Sequence, residues 1–297
     1  MVSGRPASGR TVWDGEENMA GTWLITGASR GLGRELTEAA LAAGHRVVAG
    51  ARRPEQLDDL VARCGSHILP VRLDVTDPAA AEAAVRAATE TFGSLDVVVN
   101  NAGYADSAPI EEMAADDFRA QVETNLFGVV HVTRAALPVL RAQRSGTFVQ
   151  ISSIGGRVGG SPGLGAYQTA KFAVEGFSEV LASEVAPFGV RVVIVEPGAF
   201  RTDWQGASMT IHPVGADYEA TVGAVHRFRR DNDGSQPGDP ARAARIIVEV
   251  ADSAEPPRRL LLGSDALAAA RAAGQARAEE TEKWAAVSAS ADFAPAG

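Results

Sequence analysis

Seven short apolar runs recur along the chain and are separated by longer segments with a helical pattern. The runs lie at residues 23–26, 46–50, 68–73, 95–100, 147–152, 190–196 and 259–263. Their apolar residues are nearly continuous rather than alternating with polar ones, which is typical of strands buried on both faces. The pattern therefore predicts parallel strands that are covered by helices.

The segments between these runs carry helix start and stop signals. Residues 77–93 begin with Asp and Pro and end in Gly, and residues 33–44 also end in Gly. Residues 116–143 and 167–187 are predicted as two long helices. The alternation of strands and helices predicts an α/β fold, a doubly wound parallel seven-stranded sheet of the Rossmann-like type, with helices on both faces in a single domain.

The composition changes at both ends of the chain and once inside it. Residues 1–18 are polar and are predicted to be a disordered tail, residues 19–285 form the predicted domain, and residues 286–297 are expected to fray. Residues 199–238 show no strand pattern and are predicted to form a helical flap over a pocket, with a plain surface insertion as the alternative. The large side chains of this segment are Phe200, Trp204, Met209, Tyr218 and Phe228.

Charge and composition narrow the possible partners. The formal net charge of the 297 residues is −9, which argues against a nucleic-acid partner because phosphate backbones repel an acidic surface. The single cysteine, Cys64, excludes an intrachain disulfide and favours a reducing compartment. The chain has neither a signal-peptide pattern nor a long apolar span, so a cytoplasmic protein without a membrane partner is expected. No metal site is predicted.

Three glycines occupy the turn between the first predicted strand and the first predicted helix. Gly27, Gly31 and Gly33 allow positive φ angles and a close approach of the backbone to a phosphate. The helix that follows presents free N–H groups and a partial positive charge. This context predicts dinucleotide binding, with a tight structural turn as the alternative.

The end of the second predicted strand indicates which dinucleotide binds. Ala51 stands where NAD-binding folds of this type carry an acidic residue, and Arg52 and Arg53 follow. A guanidinium binds a 2′-phosphate through charge-assisted hydrogen bonds, and Arg30 in the glycine turn could close on the same phosphate. The pattern favours NADP (NADPH) over NAD. Solvated arginines are the alternative, and Arg53 fits that alternative better than Arg52.

Tyr167 and Lys171 form the candidate acid–base pair. They stand four residues apart in a predicted helix, so both side chains lie on one face. A free phenol has a pKa of about 10, and a neighbouring ammonium is expected to lower it. Such a pair can exchange a proton with a carbonyl or alcohol oxygen. The alternative is an exposed helical pair with no chemical role.

A set of motifs occurs in an order that is specific to one family. They are "TGASRGLG" (26–33), "LDVTD" (73–77), "NNAG" (100–103), "NLFG" (125–128), "ISS" (151–153), "YQTAK" (167–171) and "PGAFRT" (197–202). With these motifs the chain resembles the short-chain dehydrogenase/reductase (SDR) family over roughly residues 20–265. The resemblance implies an enzyme that transfers a hydride reversibly between NADP(H) and a carbonyl or secondary alcohol.

The resemblance also implies roles for four residues. Tyr167 would be the general acid and base, and Lys171 would hold the nicotinamide ribose and help to lower the tyrosine pKa. Ser153 would hold the substrate oxygen, and Asn125 would support a water-mediated proton relay. Ser153 is preferred to Ser152 because strand alternation points the two side chains in opposite directions. Asn125 could instead bond a neighbouring backbone group.

The same resemblance implies a larger set of cofactor-binding residues. These are Gly27, Ser29, Arg30, Gly31, Leu32, Gly33, Arg52, Asp74, Val75, Asn101, Ala102, Gly103, Tyr167, Lys171, Pro197, Gly198 and Thr202. Asp74 and Val75 would contact the adenine.

The partner is expected to be a small-molecule carbonyl or alcohol substrate, specifically an apolar ketone or aldehyde. This expectation rests on the apolar side chains of the flap and on Tyr104 and Val158 near the strand ends. An imine or enone reductase on the same scaffold and a non-catalytic NADP-sensing regulator are the alternatives. By family analogy, a homodimer or homotetramer that packs through residues 116–143 and 167–187 is expected.

Overall fold

A computed structural model describes residues 20–202 and 209–293. Within these ranges the strands are β1 (Thr22–Thr26), β2 (Arg46–Ala51), β3 (Ile68–Arg72), β4 (Val97–Asn100), β5 (Ala105–Ser107), β6 (Gly146–Ile151), β7 (Val190–Pro197), β8 (Met209–Ile211) and β9 (Arg259–Leu262). Seven of them form one sheet in the order β3-β2-β1-β4-β6-β7-β9, and every pairing is parallel. The predicted doubly wound fold is confirmed.

Helices cover both faces of this sheet. They are α1 (Gly31–Ala42), α2 (Asp58–Cys64), α3 (Pro78–Phe92), α4 (Ala115–Val122), α5 (Gly128–Gln143), α6 (Ile154–Arg157), α7 (Gly165–Val185), α8 (Ala224–Asp231), α9 (Pro240–Asp252) and α10 (Ser264–Ala289). Trp23 and Ile25 of β1 pack into the core on the side of α1 and α9, whereas Leu24 packs on the side of α3, α5 and α7. Two apolar layers therefore enclose the sheet, which explains its continuous apolar strands.

The helix ends follow the local signals in the sequence. Asp77 caps α3 by accepting a hydrogen bond of 2.9 Å from the backbone N–H of Ala79, and Pro78 opens the helix. Gly93 ends the helix in the left-handed conformation, with φ +84°. Toward the end of the chain, α10 continues to Ala289, past the predicted boundary at residue 285.

Two short strands form a second sheet that the sequence did not indicate. β5 pairs in parallel with β8, and Ala105 stands beside Met209 in the register. The prediction that residues 199–238 contain no strand is therefore wrong at Met209–Ile211. The remaining described part of this segment includes α8, a 3₁₀ turn (Ala216–Tyr218) and a π turn (Glu219–Gly223), which agrees with the helical character that was predicted.

The long helix predicted over residues 116–143 is interrupted by a π turn. This turn, Glu123–Phe127, connects α4 to α5 and contains Asn125. Trp204 and the tail at residues 1–18 lie outside the described residues. No helix in the two described ranges combines the length and apolarity that crossing a membrane requires.

Candidate active site

One cavity of about 910 Å³ opens at the carboxyl ends of the sheet strands. Its wall is formed by the residues that follow β1, β2, β4, β6 and β7, because parallel strands deliver their carboxyl ends to the same edge of a sheet. Every residue that the sequence predicted for catalysis or cofactor binding lines this cavity. The fold thus brings together motifs that are spread over some 175 residues of the chain.

The turn at the start of α1 with Gly27, Gly31 and Gly33, here called the glycine cradle, has the geometry of an anion-binding site. Gly27 and Gly31 have φ angles of +66° and +53°. A Cβ at Gly33 would lie 2.2 Å from the Gly27 carbonyl oxygen, so only glycine fits there. Asn101 holds the turn by donating a 2.9 Å hydrogen bond to the carbonyl of Thr26. No side chain of the described residues caps α1, which leaves its first N–H groups available to a phosphate.

The cavity wall beside this cradle carries positive charge. Ala51 is buried at the end of β2, and the exposed Arg52 that follows lines the cavity. Within the described ranges Arg52 forms no ion pair, whereas Arg34 of α1 is held by Glu38 and Asp59. Asp74 accepts hydrogen bonds from the backbone and hydroxyl of Thr76. These residues fit the adenosine end of a nicotinamide dinucleotide.

Tyr167, Ser153 and Lys171 meet on the opposite side of the cavity. The Ser153 hydroxyl accepts a 3.0 Å hydrogen bond from the backbone N–H of Gly155. It also forms a hydrogen bond with the Tyr167 hydroxyl. Lys171 donates a 2.7 Å hydrogen bond to the carbonyl of Ile151, and its Nζ lies 5.7 Å from the centre of the Tyr167 ring. Ser152 is buried against Gly156 instead, so Ser153 is the serine placed beside the tyrosine.

Burial determines the pKa values of Tyr167 and Lys171. It raises the pKa of the Tyr167 phenol to about 12, while the hydrogen bond from Ser153 acts in the opposite direction. The expectation that Lys171 would bring the pKa of Tyr167 below its ordinary value is therefore wrong. Burial also lowers the pKa of Lys171 to about 8, and the carboxylate of Glu175 opposes that shift. A side chain with these surroundings holds its phenolic proton at neutral pH.

Asn125 is fully engaged with the backbone around it. Its amide donates to the carbonyls of Tyr104 (2.9 Å) and Gln121 (2.8 Å), and its oxygen accepts from the Tyr104 N–H (3.2 Å). The side chain therefore fastens the π turn to the loop after β4.

Sequence reasoning missed two charged residues in the cavity wall. Asp265, at the start of α10, accepts a 2.7 Å hydrogen bond from the backbone N–H of Ala199 and so holds the loop after β7. Asp265 could have been noticed in the sequence, because the helix dipole favours an acidic residue in the first turn of a helix. Arg229 reaches the cavity from α8, and the local sequence carries no signal for that placement.

The sheet, the glycine cradle and the tyrosine–lysine pair together define a nicotinamide-dinucleotide-dependent oxidoreductase. A family model described as short chain dehydrogenase matches residues 22–210, and the chain belongs to this family.

Known relatives resemble the chain over most of its length. The oxidoreductase BOA17 of Botryotinia fuckeliana is 51% identical, with 90% of this chain and 97% of that protein aligned. A crystal structure of a short-chain dehydrogenase from Streptomyces avermitilis has a TM-score of 0.86 at 41% identity, covering 92% of this chain and 100% of that one. A 3-ketoacyl-(acyl-carrier-protein) reductase from Brucella melitensis, complexed with NADH, has a TM-score of 0.68 at 25% identity and covers 81% and 96%.

Proposed function

We propose that the protein is an NADP(H)-dependent reductase that converts a ketone or aldehyde to an alcohol, with Tyr167 as the proton donor. The observation that carries this proposal is the contact of Tyr167 with Ser153 at the edge of a cavity that also contains the glycine cradle. When bound, the reduced nicotinamide supplies the hydride that forms the new C–H bond.

The side chains around Tyr167 suit proton donation. A phenol with a pKa of about 12 keeps its proton at neutral pH and can transfer it to the more basic alkoxide oxygen that forms as the carbonyl is reduced. The Ser153 hydroxyl is placed to hold the same oxygen and to stabilise its developing charge. Lys171, anchored on Ile151, carries a positive charge close to the tyrosine and would bind the nicotinamide ribose.

The proposed preference for NADPH over NADH rests on the residues of the cavity wall beside the glycine cradle. Ala51 presents no carboxylate to repel a 2′-phosphate, and the exposed Arg52 offers it a guanidinium. Arg30, Gly198 and Thr202 line the same cavity and complete the proposed cofactor site.

An oligomer is proposed from apolar side chains on the two helical segments that the sequence singled out. Phe172 and Val180 on α7 are 42% and 59% exposed, and Phe127 in the π turn is 44% exposed. Burial of these side chains against a second copy would remove apolar surface from water.

The test is a panel of ketones and aldehydes followed by the loss of NADPH absorbance, with Tyr167→Phe as the variant. The expected result is turnover by the wild type and a loss of about 10²–10⁴-fold in kcat for the phenylalanine variant, which removes the proton but keeps the ring. Retention of NADPH binding by the variant shows that the cavity is intact. Full reductase activity of Tyr167→Phe would disprove the proposed role.

A further inference from the structure

Arg229 is a buried cation in the wall of the active-site cavity. It lies on α8, in the segment between β8 and α9, and only 8% of its surface is exposed. Part of that surface lines the cavity, together with Leu164, Ser161 and Thr210. Isolated charges are rarely buried in proteins unless a counter-charge or a ligand compensates them.

The described residues provide no counter-charge for Arg229. Its one hydrogen bond among them is a 3.0 Å donation to the hydroxyl of Ser107, which is uncharged, and it forms no ion pair within residues 20–202 and 209–293. Burial alone lowers the pKa of Arg229, and no carboxylate opposes this shift. Arg227 on the same helix shows the contrast, because it is exposed and pairs with Glu219.

His226 does not supply the missing compensation. Its Nε2 lies 2.8 Å from the Ser107 hydroxyl, which also receives the hydrogen bond from Arg229. Burial and the neighbouring guanidinium of Arg229 lower the pKa of His226, so the imidazole is neutral at physiological pH. The cluster of Ser107, His226 and Arg229 therefore carries one net positive charge.

The small sheet places this charge close to the proposed proton donor. Ala105 of β5 packs in one apolar cluster with Tyr167, Leu164 and Met209. Ser107 is two residues further along the same strand and therefore points to the same side, roughly 7 Å away along the strand. A molecule with its carbonyl at Tyr167 can thus reach Arg229 within the same cavity.

We propose that Arg229 binds an anionic oxygen group of the carbonyl substrate, a carboxylate or a phosphate, at a short distance from the carbon that is reduced. This inference rests on the proposed reductase function and refines its apolar substrate to a molecule with an apolar body and an anionic end. The guanidinium suits this ligand because its planar N–H groups form paired charge-assisted hydrogen bonds to such oxygens. Ser107 holds the guanidinium by accepting its hydrogen bond, and the Nε2 of His226 lies 2.8 Å from the same hydroxyl.

The experiment compares acetophenones that carry different groups, two anionic and one neutral, opposite the acetyl group. 4-Acetylbenzoate, 4-acetylphenyl phosphate and the neutral 4-acetylbenzamide are assayed for kcat/KM with NADPH, and their binding to the NADP⁺-loaded enzyme is measured by calorimetry. The variants are Arg229→Gln and, as the matched control, Arg230→Gln, which removes an exposed guanidinium from the next position of α8. NADPH affinity of each variant is measured in parallel.

The expected result is that the wild type prefers at least one anionic probe over the amide by about tenfold or more. Arg229→Gln should abolish this preference through KM, whereas Arg230→Gln should keep it, and NADPH affinity should not change. The better of the two anionic probes identifies the group as carboxylate or phosphate.

Equal binding of charged and neutral probes by the wild type would overturn the inference, as would a preference that survives Arg229→Gln. If that variant fails to fold, Arg229→Met replaces it, and the wild-type comparison alone still decides against the inference when it shows no preference. Reduction of all probes with similar kcat/KM would leave the reductase function in place while refuting the role of Arg229. Failure to reduce any carbonyl of the wider panel would instead count against the reductase function itself.

Discussion

Arg52 is the residue on which the proposed choice between NADPH and NADH depends. We expect Arg52→Asp to lower kcat/KM for NADPH by about 10- to 100-fold, because a charge-assisted contact to the 2′-phosphate is replaced by repulsion. The value for NADH should change little. Steady-state kinetics with both cofactors measures this effect. Arg86→Asp in α3 serves as the control. It changes the net charge equally, and the side chain of Arg86 is 61% exposed. A wild type that prefers NADH would contradict the assignment.

Lys171 should make the stability of the protein depend on alkaline pH. Its pKa is about 8 in the folded protein and 10.5 ordinarily, so between these values the unfolded chain binds more protons and stability rises with pH. Relative to Lys171→Met, the wild type should gain roughly 3 kcal/mol of unfolding free energy between pH 8 and pH 10.5.

Urea denaturation of both proteins across this window measures the gain. Tyr167, whose pKa is raised to about 12, contributes stability that is lost only above pH 10, and it does so in both proteins. A difference between the two proteins that stays constant with pH would show that Lys171 is not desolvated.

The chemistry of single residues could be predicted from the sequence more readily than their environments. The tyrosine–lysine spacing and the glycine turn were visible because they are local. The direction of the Tyr167 pKa shift was not visible, because it depends on burial by Ala105, Leu164 and Met209, which come from three separate segments. Arg229 was missed for the same reason.

At the scale of elements, the turn between β1 and α1 has no room for a larger residue. Gly33→Ala should destabilise the fold by about 1–3 kcal/mol and abolish NADPH binding, since the added methyl would overlap the Gly27 carbonyl. Gly274→Ala in α10 is the matched control, because that position is exposed and open.

The control should be stabilised by about 0.5–1 kcal/mol, as alanine favours a helix. Thermal unfolding and NADPH titration of both variants measure the contrast. Unchanged cofactor binding in Gly33→Ala would contradict the close packing of the turn.

Elements with a long local pattern were predicted well, and short elements were not. The seven sheet strands and α3, with its Asp77 cap and Gly93 end, follow from neighbouring residues. β5 and β8 have three residues each and pair across about a hundred residues of chain. Three residues are too few to establish a period, so the second sheet could be found only from tertiary structure.

At the scale of the whole molecule, the exposed apolar side chains of α7 predict association of two or more copies. Val180→Glu should shift the protein toward a monomer, because a carboxylate would be buried at the interface. Val287→Glu on α10 introduces the same charge at a side chain with similar exposure, 60% against 59%, and should leave the mass unchanged. Sedimentation or light scattering measures the mass, and equal behaviour of both variants would refute this interface.

The strand order of the main sheet also bears on how the chain is made. β7 pairs on its outer side with β9, which the ribosome synthesises about sixty residues later. Until Arg259–Leu262 emerge, the nascent chain presents β7 as a bare apolar edge that can recruit other chains. Chains truncated between these two strands should therefore aggregate unless chaperones bind them, even though most of the residues of the cofactor site have already been translated.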